Sequence, residues 1–179
     1  MSGLEKFYRR VGRVNETVGT LTSWLVYPMT VLVAFEVVMR YVFNRPTIWS
    51  WDVNVQLLAA MGSLGGGYAL LHGGHVAVDV VAKKLPLRGQ FVLNSITDLL
   101  SVACLALITW FLAVNAADSV AHLERSVTVF REPIYPLRVV VAIGSLLFLL
   151  QAICNLLKNV TVSLGKTPPT TGSDQWILQ

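Results

Sequence analysis

The sequence predicts an all-α membrane protein with four transmembrane helices, both termini in the cytoplasm and a basic amphipathic N-terminal segment. Of its 179 residues, 54% are hydrophobic and 13% are charged, whereas about 25% of the residues in ordinary soluble domains are charged. A helix needs about 20 mainly apolar residues to cross a bilayer. Four runs reach that length, at about residues 21–43, 49–71, 92–117 and 137–157, and they form one transmembrane domain over residues 21–157.

The distribution of basic residues predicts the orientation of these spans. Cytoplasmic loops of membrane proteins carry an excess of lysine and arginine. Nine basic residues precede the first span, separate the second from the third, or follow the fourth: Lys6, Arg9, Arg10, Arg13, Lys83, Lys84, Arg88, Lys158 and Lys166. The connections on the other side hold four: Arg45, Arg125, Arg131 and Arg138. Both termini are therefore expected in the cytoplasm.

Several classes of function do not fit this composition. The net charge is +4, but the basic residues are scattered between apolar runs and form no face for a nucleic acid. Cys104 and Cys154 lie in apolar runs, where a free cysteine behaves as a small hydrophobe. The sequence shows no combination of nucleophile, acid and base. We expect neither an enzyme nor a cofactor.

Residues 1–20 are predicted to form an amphipathic cytoplasmic or interfacial segment. Apolar residues recur at three- and four-residue steps between Leu4 and Val18, opposite basic residues. This pattern is typical of a helix lying on a membrane surface, and it also fits a cytoplasmic extension of the first span. Pro28 is expected to bend that span or to cause a local adjustment.

Near the end of the first span, Glu36 and Arg40 lie four residues apart with the acid first. They share a helix face in the favourable orientation for an ion pair. We expect a structural pair, formed within the chain or with a partner; a contact with an ion or substrate is the alternative.

The corner that follows concentrates aromatic and charged residues, including Arg45 and Trp49, where a membrane boundary is expected. Pro46 disfavours a continuing helix, so the chain should reverse here. Ser50 is a plausible N-cap of the second span, and Asp52 places a negative charge in its first turn. Asp52 could also meet Arg40 or Arg45 across the corner.

The second span has a thin side rich in small residues. Gly62 and Gly66 have the GxxxG spacing that allows close approach of another helix. That helix could belong to this chain or to another protein.

Beyond the second span, His72, His75 and Asp79 could be considered as metal ligands. His122 is expected on the opposite side of the membrane, and no further ligand cluster is present, so we expect no metal. A di-haem bundle would need histidines at matched depth in facing helices. These residues are expected to hold the cytoplasmic loop by hydrogen bonds.

The last two spans are joined by a connection over residues 118–136, which could lie along the membrane surface or cover a neighbouring protein. Pro133 and Tyr135 precede the fourth span. Residues 158–179 are rich in threonine, proline and glycine towards their end and are predicted to be a flexible cytoplasmic tail.

Four features together resemble a known family: the R-Y-V-F-N-R-P stretch at residues 40–46, Trp49 with Asp52, the segment 67–79 ending in H-V-A-V-D, and Pro133 with Tyr135. Over about residues 15–157, the chain resembles the small membrane (Q-type) subunit of tripartite ATP-independent periplasmic (TRAP) transporters. Two positions depart from the family pattern, since Asp52 stands where glutamate is expected and Tyr135 where tryptophan is expected.

The resemblance implies a multi-pass protein of the bacterial inner membrane that pairs with a large permease subunit. A periplasmic substrate-binding protein would deliver organic acids, which the large subunit imports with sodium by an elevator motion. The small subunit would be a fixed scaffold. The alternative is a membrane anchor or electron-transfer subunit of a respiratory complex. The candidates for structural or partner contacts are Glu36, Arg40, Arg45, Trp49, Asp52, Gly62, Gly66, His75, Asp79, Pro133 and Tyr135.

Overall fold

The computed structural model describes residues 3–73 and 87–163, and the side chains of residues 6–73 and 95–160. The described parts contain five helices: α1 (Gly3–Ser23), α2 (Val26–Tyr41), α3 (Ser50–Leu71), α4 (Leu87–Ala121) and α5 (Tyr135–Ser163). They contain no β-strand, and their one β-type pairing is an isolated bridge between Arg125 and Pro133. The predicted all-α class is confirmed.

Three segments in the described residues are long and apolar enough to cross a membrane: Lys6–Tyr41, Ser95–Ala121 and Tyr135–Val160. The helix α3 has 22 residues but is not among them. Asn54, Gln56 and three consecutive glycines, residues 65–67, lower its hydropathy. The four-span count therefore stays a prediction, and it depends on α3.

A local break separates α1 from α2, as expected from Pro28. Proline has no N–H group, so Pro28 cannot bond the carbonyl of Trp24 four residues earlier. Around this point the amides of Trp24 and Leu25 bond the carbonyls of Leu21 and Thr22 at 3.2 and 3.0 Å, at three-residue steps. This tighter geometry is typical of 3₁₀ turns, and it joins α1 to α2.

Helix α5 packs between α4 and α3, and α3 also contacts α1 and α2. A small apolar cluster joins the first helix to the last, with Tyr8 and Val11 of α1 buried against Cys154 of α5. This contact shows where the apolar face of α1 lies. The position of α1 relative to a membrane surface stays a prediction.

The contact between α3 and α5 is close enough to require a glycine. A Cβ atom at Gly144 would lie 2.7 Å from the backbone of Ser63, a distance at which the two helices would have to separate. At the α4–α5 contact, the Thr109 hydroxyl donates to the Ser145 carbonyl at 3.3 Å, and Asn159 donates to Asp98 at 2.5 Å. By contrast, none of the residues of α2 is buried.

Candidate functional site

The carboxylate of Glu36 organises the corner between α2 and α3. Its Oε1 atom accepts hydrogen bonds from Nε and Nη2 of Arg40 at 3.1 and 2.8 Å. Its Oε2 atom accepts from the backbone amide of Thr47 at 3.1 Å and from the Ser50 hydroxyl at 2.9 Å, and also from the Thr47 hydroxyl. The Glu36–Arg40 pair is present within the chain, and it belongs to a larger network that ties the corner to α2.

The role of Ser50 differs from the predicted N-cap. The residue that caps α3 is Trp49, with no side-chain hydrogen bond to the helix. The Ser50 hydroxyl instead donates to the Glu36 carboxylate, and this charge-assisted hydrogen bond ties the first turn of α3 to α2. The sequence held a signal for this network, since Thr47 and Ser50 are hydroxyl residues in the turn that faces an acid.

A groove of about 250 Å³ lies beside this network, between α2 and α3. Its polar members are Glu36, Arg40, Ser50 and Asn54, and the rest of its lining is apolar or aromatic. The Oδ1 atom of Asn54 is enclosed and has no hydrogen-bond partner among the described residues. The groove is thus an apolar recess that also contains the Glu36–Arg40 pair, Ser50 and Asn54.

The other predicted corner residues lie apart from the Glu36 network. Arg45 is exposed, and Asp52 is half-buried in the first turn of α3. Within the described residues, Asp52 forms no ion pair with Arg40 or Arg45, so the suggested contact across the corner is not made. The Trp49 ring packs against Phe35 of α2, with ring centroids 6.2 Å apart.

The two glycines of the GxxxG pair have different surroundings. A Cβ atom at Gly66 would lie 2.9 Å from the Phe148 ring of α5, whereas a Cβ atom at Gly62 would meet nothing within 4 Å. Gly66 therefore serves packing within the chain, and Gly62 lies on an open part of α3.

A buried polar contact that was not predicted from the sequence joins α1 to α5. Asn15 is fully buried and donates to Oε1 of Gln151 at 3.0 Å, and Gln151 donates to Asn155 at 3.2 Å. Gly67 of α3 makes room for this group, since a Cβ atom there would lie 2.3 Å from Oδ1 of Asn15. The available signal was that Gln151 and Asn155 are polar residues in an otherwise apolar span.

The residues predicted to hold a cytoplasmic loop are described only in part. Nδ1 of His72 lies 3.1 Å from the Tyr68 carbonyl, and its Nε2 lies 3.5 Å from Glu16 of α1. His75 and Asp79 lie outside the described residues. No group of three potential ligands for a metal is found among the residues that are described; the expectation of no metal stays a prediction.

The connection between α4 and α5 is a short hairpin over residues 123–134. Pro133 forms the bridge with Arg125, and Tyr135 is the first residue of α5. The Arg138 guanidinium holds Glu124 through two contacts of 2.8 Å. Both predicted residues therefore lie where the hairpin enters α5.

Glu132 lies in the same hairpin. Desolvation raises the pKa of its carboxyl, but hydrogen bonds from its own backbone amide and from the side chains of Thr128, Ser126 and Gln56 outweigh this and lower the pKa. Gln56 belongs to α3, so its hydrogen bond to Glu132 holds the polar side of the hairpin towards α3.

This arrangement of helices has a counterpart among known protein families. Residues 29–162 match the model of the tripartite ATP-independent periplasmic transporters, DctQ component. The chain belongs to this family. The matched segment begins in α2 and ends in α5, so it contains the Glu36 network and the hairpin, while α1 lies before it.

Two curated proteins are similar to this DctQ-family chain. A TRAP transporter small permease protein of Haemophilus influenzae is 30% identical over 123 residues, which cover 65% of this chain and 76% of the relative. The C4-dicarboxylate TRAP transporter small permease protein of Vibrio cholerae is 29% identical over 101 residues, which cover 56% of this chain and 42% of the relative. No solved structure matches the chain. The predicted resemblance to the small TRAP subunit is confirmed.

Proposed function

We propose that the chain is the non-catalytic small permease subunit of a sodium-coupled, binding-protein-dependent TRAP transporter that imports organic acids. The observation that carries this proposal is the family match over residues 29–162. The Vibrio relative is named as a subunit of a C4-dicarboxylate transporter, which supports a carboxylate as the class of substrate. The partners would be a large permease subunit and a periplasmic substrate-binding protein.

Within this transporter we assign the chain the part of a fixed scaffold. Transport sites in membranes usually contain ionisable groups that face a cavity or an ion pathway. Here the Glu36 carboxylate is bonded to Arg40, Thr47 and Ser50, and Asp98 is bonded to Asn159. These contacts support a structural role for both acids rather than a place in a substrate path.

The proposed topology has α3 as a fourth span, with both termini in the cytoplasm of a bacterium. The polar groups of α3 are less costly in a membrane when neighbouring helices cover them, and α1, α2 and α5 all contact α3. A reporter fused after Lys158 is expected to give a cytoplasmic signal. A periplasmic signal from that fusion would contradict the topology.

The large subunit is expected to cover helix surface that this chain leaves open. Candidates are α2, none of whose residues is buried, and the open part of α3 at Gly62. Glu36 and Arg40 line the groove between α2 and α3, so the corner network would hold this surface in place.

The experiment that tests the function is affinity purification in mild detergent, with the chain tagged and co-expressed with the large permease subunit of its transporter. The complex is then reconstituted in vesicles with the binding protein, and uptake of labelled C4-dicarboxylates and other organic acids is followed with and without a sodium gradient. We expect co-purification and sodium-dependent uptake that needs both subunits. Full uptake by the large subunit alone would contradict the proposal.

A further inference from the structure

The hairpin between α4 and α5 has its apolar side turned outward. The outward side chains are Leu123, Val127, Val129 and Phe130, with Val127 fully exposed at 104% and Val129 exposed by 84%. In a loop that faces water on all sides, such residues would be expected to turn inward, since burial of apolar surface is favourable. An exposed apolar patch of this kind marks a contact with another protein or with a membrane.

The inward side of the same hairpin is mainly polar. Its half-buried residues are Glu124, Ser126, Thr128 and Glu132, with Ile134 at the end next to α5, and over positions 123–129 half-buried residues alternate with exposed ones. Backbone bonds fix this arrangement, from the Ser126 amide to the Glu132 carbonyl at 2.8 Å and from the Ile134 amide to the Glu124 carbonyl at 3.0 Å. The apolar face is therefore part of a hydrogen-bonded structure.

The charges of the hairpin are divided in the same way. Both acids are bonded inward, Glu124 to Arg138 at 2.8 Å and Glu132 to the Thr128 hydroxyl at 3.0 Å. Arg125 and Arg131 are exposed, and neither forms an ion pair with a carboxylate among the described residues. The outward face thus combines apolar side chains with two arginines that have no carboxylate partner in the described part of the chain.

We propose that this face, formed by Leu123, Arg125, Val127, Val129, Phe130 and Arg131, binds the lipid headgroup region of the membrane. A membrane surface offers anionic phosphates beside hydrocarbon, and interfacial segments bind it through apolar burial together with cationic side chains. Arginine binds phosphate with two parallel hydrogen bonds. The hairpin begins two residues after α4 and ends where α5 begins, and both helices contain a candidate membrane span, so its face is held close to a bilayer.

The position of the face is tested with the full chain in lipid nanodiscs. An environment-sensitive fluorophore is attached at V127C, V129C or T128C in a C104A/C154A background whose thermal stability has been checked. Lipids with a nitroxide near the headgroup are expected to quench the labels at positions 127 and 129 several-fold more than the label at 128, because Thr128 lies on the inward side. Equal quenching at all three positions would overturn the proposal.

A second experiment tests the role of the two arginines by comparing nanodiscs of phosphatidylcholine with nanodiscs that also contain phosphatidylglycerol. The emission of the label at V127C is expected to shift to the blue with the anionic lipid, and R125Q/R131Q should lose this shift. R45Q is the matched control, since Arg45 is another exposed arginine on the same predicted side, and it should keep the shift. A shift that persists in R125Q/R131Q would overturn the role of the two arginines.

The alternative is that a protein, rather than the membrane, binds the outward face of the hairpin. If the label at V127C remains in water in both lipid mixtures and becomes protected only when the large subunit or a soluble binding protein is added, the face is a protein-docking surface and the membrane proposal is wrong. The test does not depend on transport activity, so its result is independent of the proposed function.

Discussion

Asn15 donates a hydrogen bond to Gln151 at 3.0 Å, across 136 positions of sequence. Both residues are buried: Asn15 has no exposed surface, and Gln151 is 4% exposed. A buried polar group without a partner costs more than the same group in water. This contact therefore gives α1 one preferred position against α5, where an apolar contact alone would allow the helices to slide.

Removing the Asn15 side chain should destabilise the isolated chain. Asn15→Ala leaves Oε1 of Gln151 buried without its donor, which costs about 1–3 kcal/mol in unfolding free energy. We expect a loss at the lower end of this range, because the variant also removes Oδ1 of Asn15, a buried atom without a hydrogen-bond partner among the described residues. Thermal unfolding in detergent measures it. Asn115→Ala is the matched control, since the hydrogen bond that Asn115 donates within the described part of the chain goes to a carbonyl of its own helix, that of Phe111, at 2.8 Å. Equal losses in the two variants would contradict a special role for Asn15.

The corner network predicts unequal effects for the two partners of the ion pair. Glu36→Gln should lower thermal stability more than Arg40→Gln, because the side chain of Arg40 is 55% exposed whereas that of Glu36 is 15% exposed, and Glu36 also accepts from Thr47 and Ser50. Adding Arg40→Gln to Glu36→Gln should recover only a small part of the loss.

The same variants separate a structural pair from a transport site. If Glu36→Gln abolished uptake while the thermal stability and the amount of purified complex were unchanged, Glu36 would belong to the transport path. The measurement is uptake per assembled complex in vesicles. Ser50→Ala removes one of the donors to Glu36 and should lower thermal stability less than Glu36→Gln does.

In these sites, the sequence predicts contacts between residues that are near one another in the chain, and it does not predict contacts between distant helices. The Glu36–Arg40 pair follows from helix periodicity, because residues four apart share a face. The contacts of Thr47 and Ser50 depend on how the chain turns at Pro46, and the Asn15–Gln151 bond depends on packing of distant helices. Spacing also gave no means to distinguish Gly62 from Gly66, since only the position of Phe148 separates them.

The hairpin should loosen in acid. The pKa of Glu132 is lowered in the folded chain, so its ionised form stabilises the hairpin above the pKa of the unfolded state, and this contribution is lost as the pH falls through the lowered pKa. Hydrogen-exchange protection factors of the Ser126 amide, corrected for the intrinsic rate at each pH, should fall over that range. Glu132→Gln should remove this pH dependence. An unchanged pH profile in Glu132→Gln would assign it to another group.

The two glycines of α3 test the scaffold role. Gly66→Leu would push a side chain into Phe148, where a Cβ atom alone would already lie at 2.9 Å, and overpacking of this kind costs about 1–3 kcal/mol. Gly62→Leu meets open space and should leave the thermal stability of the isolated chain unchanged. If the large subunit covers that part of α3, Gly62→Leu should reduce co-purification.

For both glycine variants, uptake should fall in proportion to the complex lost, because a scaffold acts through assembly. The substrate concentration for half-maximal uptake and the sodium dependence should stay at wild-type values in the complex that remains. These quantities are measured in vesicles at matched amounts of complex. A Gly62→Leu complex that assembles fully and shows a changed sodium dependence would place part of the transport path in this subunit, and the scaffold proposal would be wrong.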